Sequence, residues 1–231
     1  NDNVADGNEP FRGEIEKEYI VPLIKDYTKT DKRIEINGYD AYCLVVDGQP
    51  SSSVKEYIKW GEKQGYHRRS VTISQNPWYK PTRQMLTSAR ILVPRSFNDT
   101  FIIHFNPHDY LSLRFYRLHL KQGNEFALAG YLNSTLVSLV LETLGNKSLG
   151  QGVLDFFMAD FLALRIPIIA DSEVETIFQS VKNHAVLPVI EEYGKKTSAN
   201  LQQIYFEPRE DRQNLDNKIF ETLNLTQGER D

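Results

Sequence analysis

The chain has 231 residues, of which 40% are hydrophobic and 11% aromatic, and its formal net charge is −4. This composition is typical of a folded domain with a substantial core and excludes a disordered tail. No apolar run approaches the roughly 18 residues of a membrane-spanning helix, and we expect no secretory signal in the polar, acidic stretch 1–10. The single cysteine, Cys43, excludes an intrachain disulfide and a cysteine-cluster zinc site, and it fits a reducing cytoplasm.

Positive charge is concentrated in one part of this acidic chain. Between Val54 and Arg95 nine basic residues stand against two glutamates, Glu56 and Glu62, a local surplus of seven charges. The nine are Lys55, Lys59, Lys63, Arg68, Arg69, Lys80, Arg83, Arg90 and Arg95. Since phosphates respond to charge within a Debye length of roughly 10 Å, this segment can bind nucleic acid despite the negative total.

The first part of the chain is predicted to contain a helix and two short strands. Apolar residues at helical spacing predict a helix over 14–27, with a kink or a break at Pro22. Strands are predicted at 33–36 and 41–46, because an Asn-Gly or Asp-Gly turn signal follows each of them.

The next region is predicted to begin with a helix and then to become rich in strands. Ser53-Val54-Lys55-Glu56 has the form of a capping box, which predicts a helix from there to about Lys63. β-Branched and aromatic residues then predict strands at 70–74, 85–93, 100–105 and 110–120. In the last of these, alternating apolar and polar residues from Leu111 to Phe115 indicate a half-buried strand.

Helices dominate the remainder. A long, largely apolar helix is predicted over 124–144, ending at Gly145-Asn146. The later elements are a strand at 153–157, a short helix at 159–164, an extended exit at 165–169, a helix capped by Asp171 and a final helix at 209–223. Mixed strands followed by helices indicate an α+β fold, with small mixed sheets and packed helices.

Several short motifs occur in an order that resembles a known family. They are Asn76-Pro77-Trp78-Tyr79, the stretch 127–134 ending in Leu132-Asn133-Ser134, Gly150-Gln151-Gly152-Val153, the stretch 162–168 and the tail 211–216. Their order and spacing resemble the target-recognition region of N6-adenine DNA methyltransferases of type II and type IIG restriction–modification systems.

This resemblance implies how the chain is organised and what its partners are. Residues 1–53 would lead into the domain, 54–170 would form the target-recognition core and 171–231 a helical extension. The partners implied are double-stranded DNA and a catalytic methyltransferase domain of the same polypeptide. S-adenosylmethionine would bind in that parent enzyme, in the cytoplasm, and no cofactor is expected in this chain.

The candidate DNA-binding residues interleave aromatic and basic side chains. They are Tyr66, His67, Arg68, Arg69, Trp78, Tyr79, Lys80 and Arg83. Cations of such a set contact phosphates, and planar groups contact bases or sugars. Arg68 and Arg69 could each bind guanine or only anchor the DNA backbone. The alternative is a solvated basic surface with Trp78 packed in the core.

Four further motif residues are expected to have structural roles. Asn133 and Ser134 lie inside the predicted long helix, where buried polar groups need partners, so we expect them to tie the helix to a neighbouring loop. Gly150 and Gly152 are expected to permit a turn or a close backbone approach. A phosphate-binding role for these glycines is the weaker alternative, since a strand and not a helix follows.

No complete catalytic site is expected in the chain. Asn76-Pro77-Trp78-Tyr79 is similar to the catalytic Asn/Asp/Ser-Pro-Pro-aromatic motif of the same methyltransferases, but Trp78 replaces the second proline. No glycine-rich S-adenosylmethionine loop precedes it. His104 and His108 have a metal-ligand spacing that Asn106-Pro107 interrupts. The alternative function is a protein-interaction scaffold, with helices 124–144 and 209–223 as its docking surface.

Overall fold

The computed structural model describes residues 9–25, 32–146, 153–169, 171–192, 194–197 and 204–230. It has the α+β fold predicted from the sequence, with small sheets and packed helices. Contacts divide the chain into unit 1, which comprises 1–25, 39–88 and 110–113, and unit 2, which comprises 26–38, 89–109 and 114–231. The units interleave along the chain, so they divide it differently from the three predicted segments.

Unit 1 contains a three-stranded sheet in the order β2-β1-β6. Strand β1 (Ile20–Ile24) pairs antiparallel with β2 (Ala41–Leu44) and parallel with β6 (Leu111–Ser112). The predicted helix over 14–27 is therefore wrong: a 3₁₀ turn at Lys17–Tyr19 leads directly into β1. Ile20 and Val21 are β-branched and Pro22 has no N–H to donate, and these properties suit a strand better than the interior of a helix.

The N-cap of helix α1 (Ser52–Lys63) in unit 1 lies two residues before the predicted cap, Ser53. Ser51 is the N-cap, and its hydroxyl accepts a hydrogen bond from the backbone N–H of Val54 at 3.2 Å. The Ser53 hydroxyl instead donates to the Glu16 carboxylate at 2.7 Å. The helix ends as predicted, before Gly65, whose φ of 76° suits glycine.

Unit 2 contains the other small sheets. Its strands are β3 (Ile91–Pro94), β4 (Ser96–Phe97), β5 (His104–Phe105), β7 (Phe115–Leu118), β8 (Leu154–Asp155), β9 (Lys195–Thr197) and β10 (Ile204–Phe206). They form a β5-β3-β7 sheet and two antiparallel pairs, β4-β8 and β9-β10.

Several predicted strands are shorter than expected or absent. Residues 70–74 form turns, and 33–36 contribute only isolated bridges at Arg33 and Glu35. The predicted strand 110–120 is interrupted at Leu113, which is exposed, so β6 and β7 belong to different sheets. The strand propensity of the sequence cannot locate such a break, because the break depends on which strands β6 and β7 pair with.

The predicted long helix is two helices of unit 2, α2 (Glu125–Leu132) and α3 (Thr135–Leu144), bent by 59°. Asn133 and Ser134 lie at the break and not inside a helix. The Ser134 hydroxyl caps α3, and the Asn133 carboxamide binds the backbone of Ile103. Polar side chains that bond the nearby backbone in this way compete with continuation of a helix.

Three of the later helices of unit 2 lie where the sequence predicts them, whereas two short ones at 189–192 and 227–230 were not predicted. These helices are α4 (Met158–Ala163), α5 (Ser172–Val181), α6 (Val189–Glu192), α7 (Glu210–Thr222) and α8 (Gln227–Arg230). The predicted cap of α5 is confirmed, since the Asp171 carboxylate accepts from the backbone N–H of Glu173 at 2.8 Å.

Helices α2, α5 and α7 pack in the core of unit 2. They approach closely at Gly130, where an added Cβ would lie 3.3 Å from both Phe178 and Val174. Within the described residues no single helix is long and apolar enough to cross a membrane. The bent pair α2 and α3 has the length and apolar composition of a membrane span only when its two helices are counted together. Ala127 to Leu132 of α2 are buried in this core.

Candidate nucleic-acid interface

Three lysines lie along α1 on unit 1. Lys55, Lys59 and Lys63 are all exposed, while Val54 and Ile58 of the same helix are buried. Residues four apart in an α-helix follow one another on the same side, about 6 Å apart along its axis. The lysines therefore form one row, which we call the lysine row, on the side of α1 away from its core.

The predicted arginine pair follows the end of α1. Tyr66, His67 and Arg68 form a 3₁₀ turn, and Arg68 and Arg69 are both exposed. The Arg69 guanidinium lies over the Tyr66 ring at 4.2 Å from its centre, and the Arg68 Nε donates to His67 Nε2 at 3.1 Å. Each guanidinium is thus held by a neighbouring ring and keeps other N–H groups for a ligand.

The predicted aromatic residues of the next loop have packing contacts. Trp78 and Tyr79 pack against the small core of unit 1, formed by Val46, Val54 and Ile58. The indole N–H of Trp78 also donates to the Glu62 carboxylate at 3.2 Å. Of the eight candidate DNA-binding residues, Trp78 and Tyr79 therefore pack against the core of unit 1.

The remaining predicted cations are Lys80, which is half-buried, and Arg83, which is exposed. They lie in the same unit as Arg68 and Arg69. Two cations of the basic segment lie elsewhere: Arg90 and Arg95 belong to unit 2, where Arg90 pairs with Glu125 at 3.3 Å. The local charge surplus seen in the sequence is thus divided between the two units.

The cations of unit 1 differ from those of unit 2 in their partners. Throughout the described ranges, ion pairs join residues of unit 2, for example Arg209 with Asp211 and Lys218 with Glu173. None of the described carboxylates pairs with the unit 1 cations Lys55, Lys59, Lys63, Arg68, Arg69, Lys80 and Arg83. These side chains remain available to a negatively charged ligand.

Two of the motifs that carry the sequence resemblance, the stretch ending in Asn133-Ser134 and the tail 211–216, come together in unit 2. Asp216 of α7 accepts hydrogen bonds from the backbone N–H of Thr135, at 2.8 Å, and from its hydroxyl. Arg212 of α7 donates to the Asn133 carbonyl. The Asn133 carboxamide in turn donates to the Ile103 carbonyl at 2.8 Å. Asn133 and Ser134 therefore have structural contacts, while Gly150 and Gly152 lie outside the described residues.

Of two other side chains with reactive potential, His104 is buried and Cys43 is half-buried. Burial lowers the pKa of His104 to about 4, so its imidazole is neutral at physiological pH. Burial raises the pKa of the Cys43 thiol, which keeps it protonated. In the part of the chain that the structure describes, no group of three or more histidines, cysteines and acidic residues could hold a metal ion.

The structure adds residues that the sequence did not select as candidates. The lysine row could have been found from the spacing of its members, four residues apart. Val71 and Ile73 are exposed beside the arginine pair. They could not have been found, because their β-branched character predicted a strand where the chain forms turns.

Comparison with known proteins gives a family and a fold. Residues 25–197 match the family model described as type II methyltransferase M.Eco57I, C-terminal domain. No curated protein matches the chain significantly. The chain is similar to the crystal structure of the type IIG restriction endonuclease BpuSI, with a TM-score of 0.50 and 11% identity, over 90% of this chain and 27% of that one. It thus spans about a quarter of that enzyme's length.

Proposed function

This chain belongs to the M.Eco57I C-terminal domain family of type II methyltransferases, and we propose that it recognises double-stranded DNA for an N6-adenine methyltransferase of a restriction–modification system. In this proposal the chain is the specificity domain. Methyl transfer and S-adenosylmethionine binding take place in a catalytic domain of the same polypeptide, in the cytoplasm. Such a division is consistent with the 27% of BpuSI that the chain covers.

The observation that carries this proposal is the group of cations on unit 1 without a described carboxylate partner. A protein that binds duplex DNA owes much of its affinity to lysines and arginines that neutralise phosphates. Cations already paired within the protein must first break those pairs, whereas the lysine row and the arginine pair are available at once. Arginine can also bind the edge of guanine through two hydrogen bonds, so Arg68 and Arg69 are the candidates for base contact.

The proposal is tested by measuring fluorescence anisotropy of a labelled duplex pool at several salt concentrations. We expect binding that weakens steeply as salt rises. The double variant Arg68→Ala, Arg69→Ala should make the slope of log K against log salt shallower by about 1.8 if each arginine neutralises one phosphate, and by less if either arginine contacts a base.

A matched control removes two exposed cations from unit 2, Lys121→Ala with Arg165→Ala. This variant has the same net charge as the arginine variant. Equal losses of affinity for the duplex in the two variants would mean that DNA binding depends only on the overall charge of the chain. Absence of binding by the unaltered chain at low salt would contradict the proposal.

A second candidate function, docking of another protein surface, is favoured by α4. Leu162 is 79% exposed, and Phe157 and Met158 beside it are also exposed. Met158 and Leu162 line an open groove of about 450 Å³ against β7. The scaffold alternative places docking on 124–144 and 209–223, where Leu128 of α2 and Leu215 of α7 are buried within unit 2 while Leu139 and Leu144 of α3 are exposed.

Docking and DNA recognition are compatible, because a specificity domain must also contact its catalytic domain. We propose that catalytic domain as the occupant of the α4 groove. Leu162→Glu would then weaken binding to a separately produced methyltransferase segment and leave salt-dependent DNA binding unchanged. Binding of that segment equal to that of the unaltered chain would remove α4 from the interface.

A further inference from the structure

Two branched apolar side chains project from the turn that follows the arginine pair. Val71 and Ile73 are 69% and 68% exposed. A single exposed apolar residue is ordinary on a protein surface. Here two of them lie two residues apart, next to the exposed cations Arg68 and Arg69. We call Val71 and Ile73 the apolar tip.

The backbone beneath the apolar tip is held by hydrogen bonds. The N–H groups of Thr72 and Ile73 both donate to the Arg69 carbonyl, at 2.9 and 2.8 Å. The Thr72 hydroxyl donates to the Tyr66 carbonyl at 2.6 Å, and the Gln75 carboxamide donates to the Val71 carbonyl at 2.8 Å. The tip is therefore presented on an organised turn, whose position is fixed relative to the arginine pair.

The positive charge around the apolar tip favours nucleic acid over a protein surface as its ligand. Arg68 and Arg69 have no ion-pair partner among the described residues. A ligand that covers the tip must therefore offer negative charge and an apolar group at short range. Duplex DNA offers both in its major groove, where phosphates flank the C5-methyl group that each thymine presents.

We propose that Val71 and Ile73 contact the C5-methyl groups of thymine in the major groove, so that the apolar tip reads sequence beside the arginine pair. This inference rests on the proposed DNA-binding function. It adds a class of base contact that the candidate residues chosen from the sequence did not include.

The test compares duplexes with and without the methyl group. A random duplex pool is enriched for binding to the chain and then re-amplified with either thymidine or deoxyuridine triphosphate, which pair alike and differ only in that methyl. Burial of one methyl corresponds to about a fourfold change in affinity, and burial of two to about fifteenfold. We therefore expect the deoxyuridine pool to bind about four- to fifteen-fold more weakly.

Substitution of the tip then assigns the effect to these residues. In the double variant Val71→Ser, Ile73→Ser the two pools should bind equally, and the salt slope should be unchanged because no charge is lost. Leu139→Ser, an exposed apolar position on α3, is the control and should keep the difference between pools. Both variants should keep the unaltered midpoint of thermal unfolding, since the substituted side chains are exposed.

The outcomes separate this inference from the function on which it rests. Salt-dependent binding with equal affinity for the two pools would overturn the inference and leave DNA binding intact. A preference for thymine that survives in the tip variant would also overturn it, because the methyl would be read elsewhere, and the tip would then be free to contact protein. Absence of binding to any duplex would overturn both.

Discussion

Asp216 of α7 is the acidic side chain that binds the first residue of α3, directly after the break between α2 and α3. It is buried, and burial raises its pKa, while hydrogen bonds from Thr135 and the charge of Arg212 act in the opposite direction. Its two hydrogen bonds from Thr135 satisfy the first N–H of α3 and a neighbouring hydroxyl. A buried carboxylate with these partners joins α7 to the start of α3.

Removal of this carboxylate should therefore destabilise unit 2. We expect Asp216→Ala to lower the free energy of unfolding by about 2 kcal/mol, because the backbone N–H and the hydroxyl of Thr135, both partly buried, lose their acceptor. Urea unfolding followed by circular dichroism measures the change. Asn217→Ala, at the exposed next position of α7, should stay within about 0.5 kcal/mol of the unaltered chain. Similar losses in the two variants would contradict the role of Asp216.

His104 makes the stability of the chain depend on pH. Burial lowers its folded-state pKa from 6.5 to about 4, so the unfolded chain binds this proton more readily than the folded one. The stability that neutral His104 contributes is present above pH 6.5 and is lost as the pH falls through about 4.

This effect should disappear when the imidazole is replaced by a side chain that does not titrate. Between pH 7.5 and pH 4.5 we expect the unaltered chain to lose roughly 2 to 3 kcal/mol of unfolding free energy relative to His104→Gln. Glutamine keeps a polar amide of similar size at this position and does not titrate in this pH range. Parallel pH profiles of the two proteins would show that His104 does not titrate in this way.

At the scale of secondary-structure elements, α1 presents the lysine row. The triple variant Lys55→Ala, Lys59→Ala, Lys63→Ala should make the salt slope of DNA binding shallower by about 2.7, if each lysine neutralises one phosphate. Alanine favours helix, so α1 should remain folded. The sequence preference of the chain should not change, because phosphate contacts carry no base information directly.

A substitution of opposite charge on the same helix gives the control. Glu56 is exposed on α1, and Glu56→Ala removes negative charge near the proposed interface. We expect this variant to bind duplex DNA at least as tightly as the unaltered chain. Weaker binding by the glutamate variant, or an unchanged slope in the lysine variant, would mean that α1 does not lie against DNA.

The elements also show how far sequence patterns could predict this fold and its candidate site. The start of α5 and both ends of α7 are predicted to within a residue, because local signals such as the Asp171 cap determine where a helix begins. The arginine pair was recognisable from local charge in the same way. Strand β1 was taken for a helix, since its identity depends on the pairing partners β2 and β6, which are distant in sequence. The apolar tip was missed because a strand was expected there.

At the scale of the whole molecule, the two units differ greatly in the size of their cores. The buried hydrophobic residues of unit 1 are Leu23, Ile24, Val46, Val54, Ile58 and Leu111, and all the others described belong to unit 2. Burial of apolar surface is the main favourable contribution to folding. The unit that carries the proposed DNA contacts is therefore expected to be the less stable of the two.

Both tryptophans of the chain, Trp60 and Trp78, lie in unit 1, so fluorescence and circular dichroism report on different units. Most of the helices, and hence most of the dichroism at 222 nm, belong to unit 2. We expect the fluorescence transition in urea to have a lower midpoint than the dichroism transition. Coincident transitions would show that the two units unfold as one.

Two substitutions can move these transitions separately. Gly61→Ala places a Cβ 2.7 Å from the Trp78 ring and should lower the fluorescence midpoint, whereas Asp216→Ala should lower the dichroism midpoint. Because a ligand that binds only the folded state stabilises it by mass action, duplex DNA should raise the fluorescence midpoint first. A DNA effect confined to the dichroism transition would assign binding to unit 2 and contradict the proposed interface on unit 1.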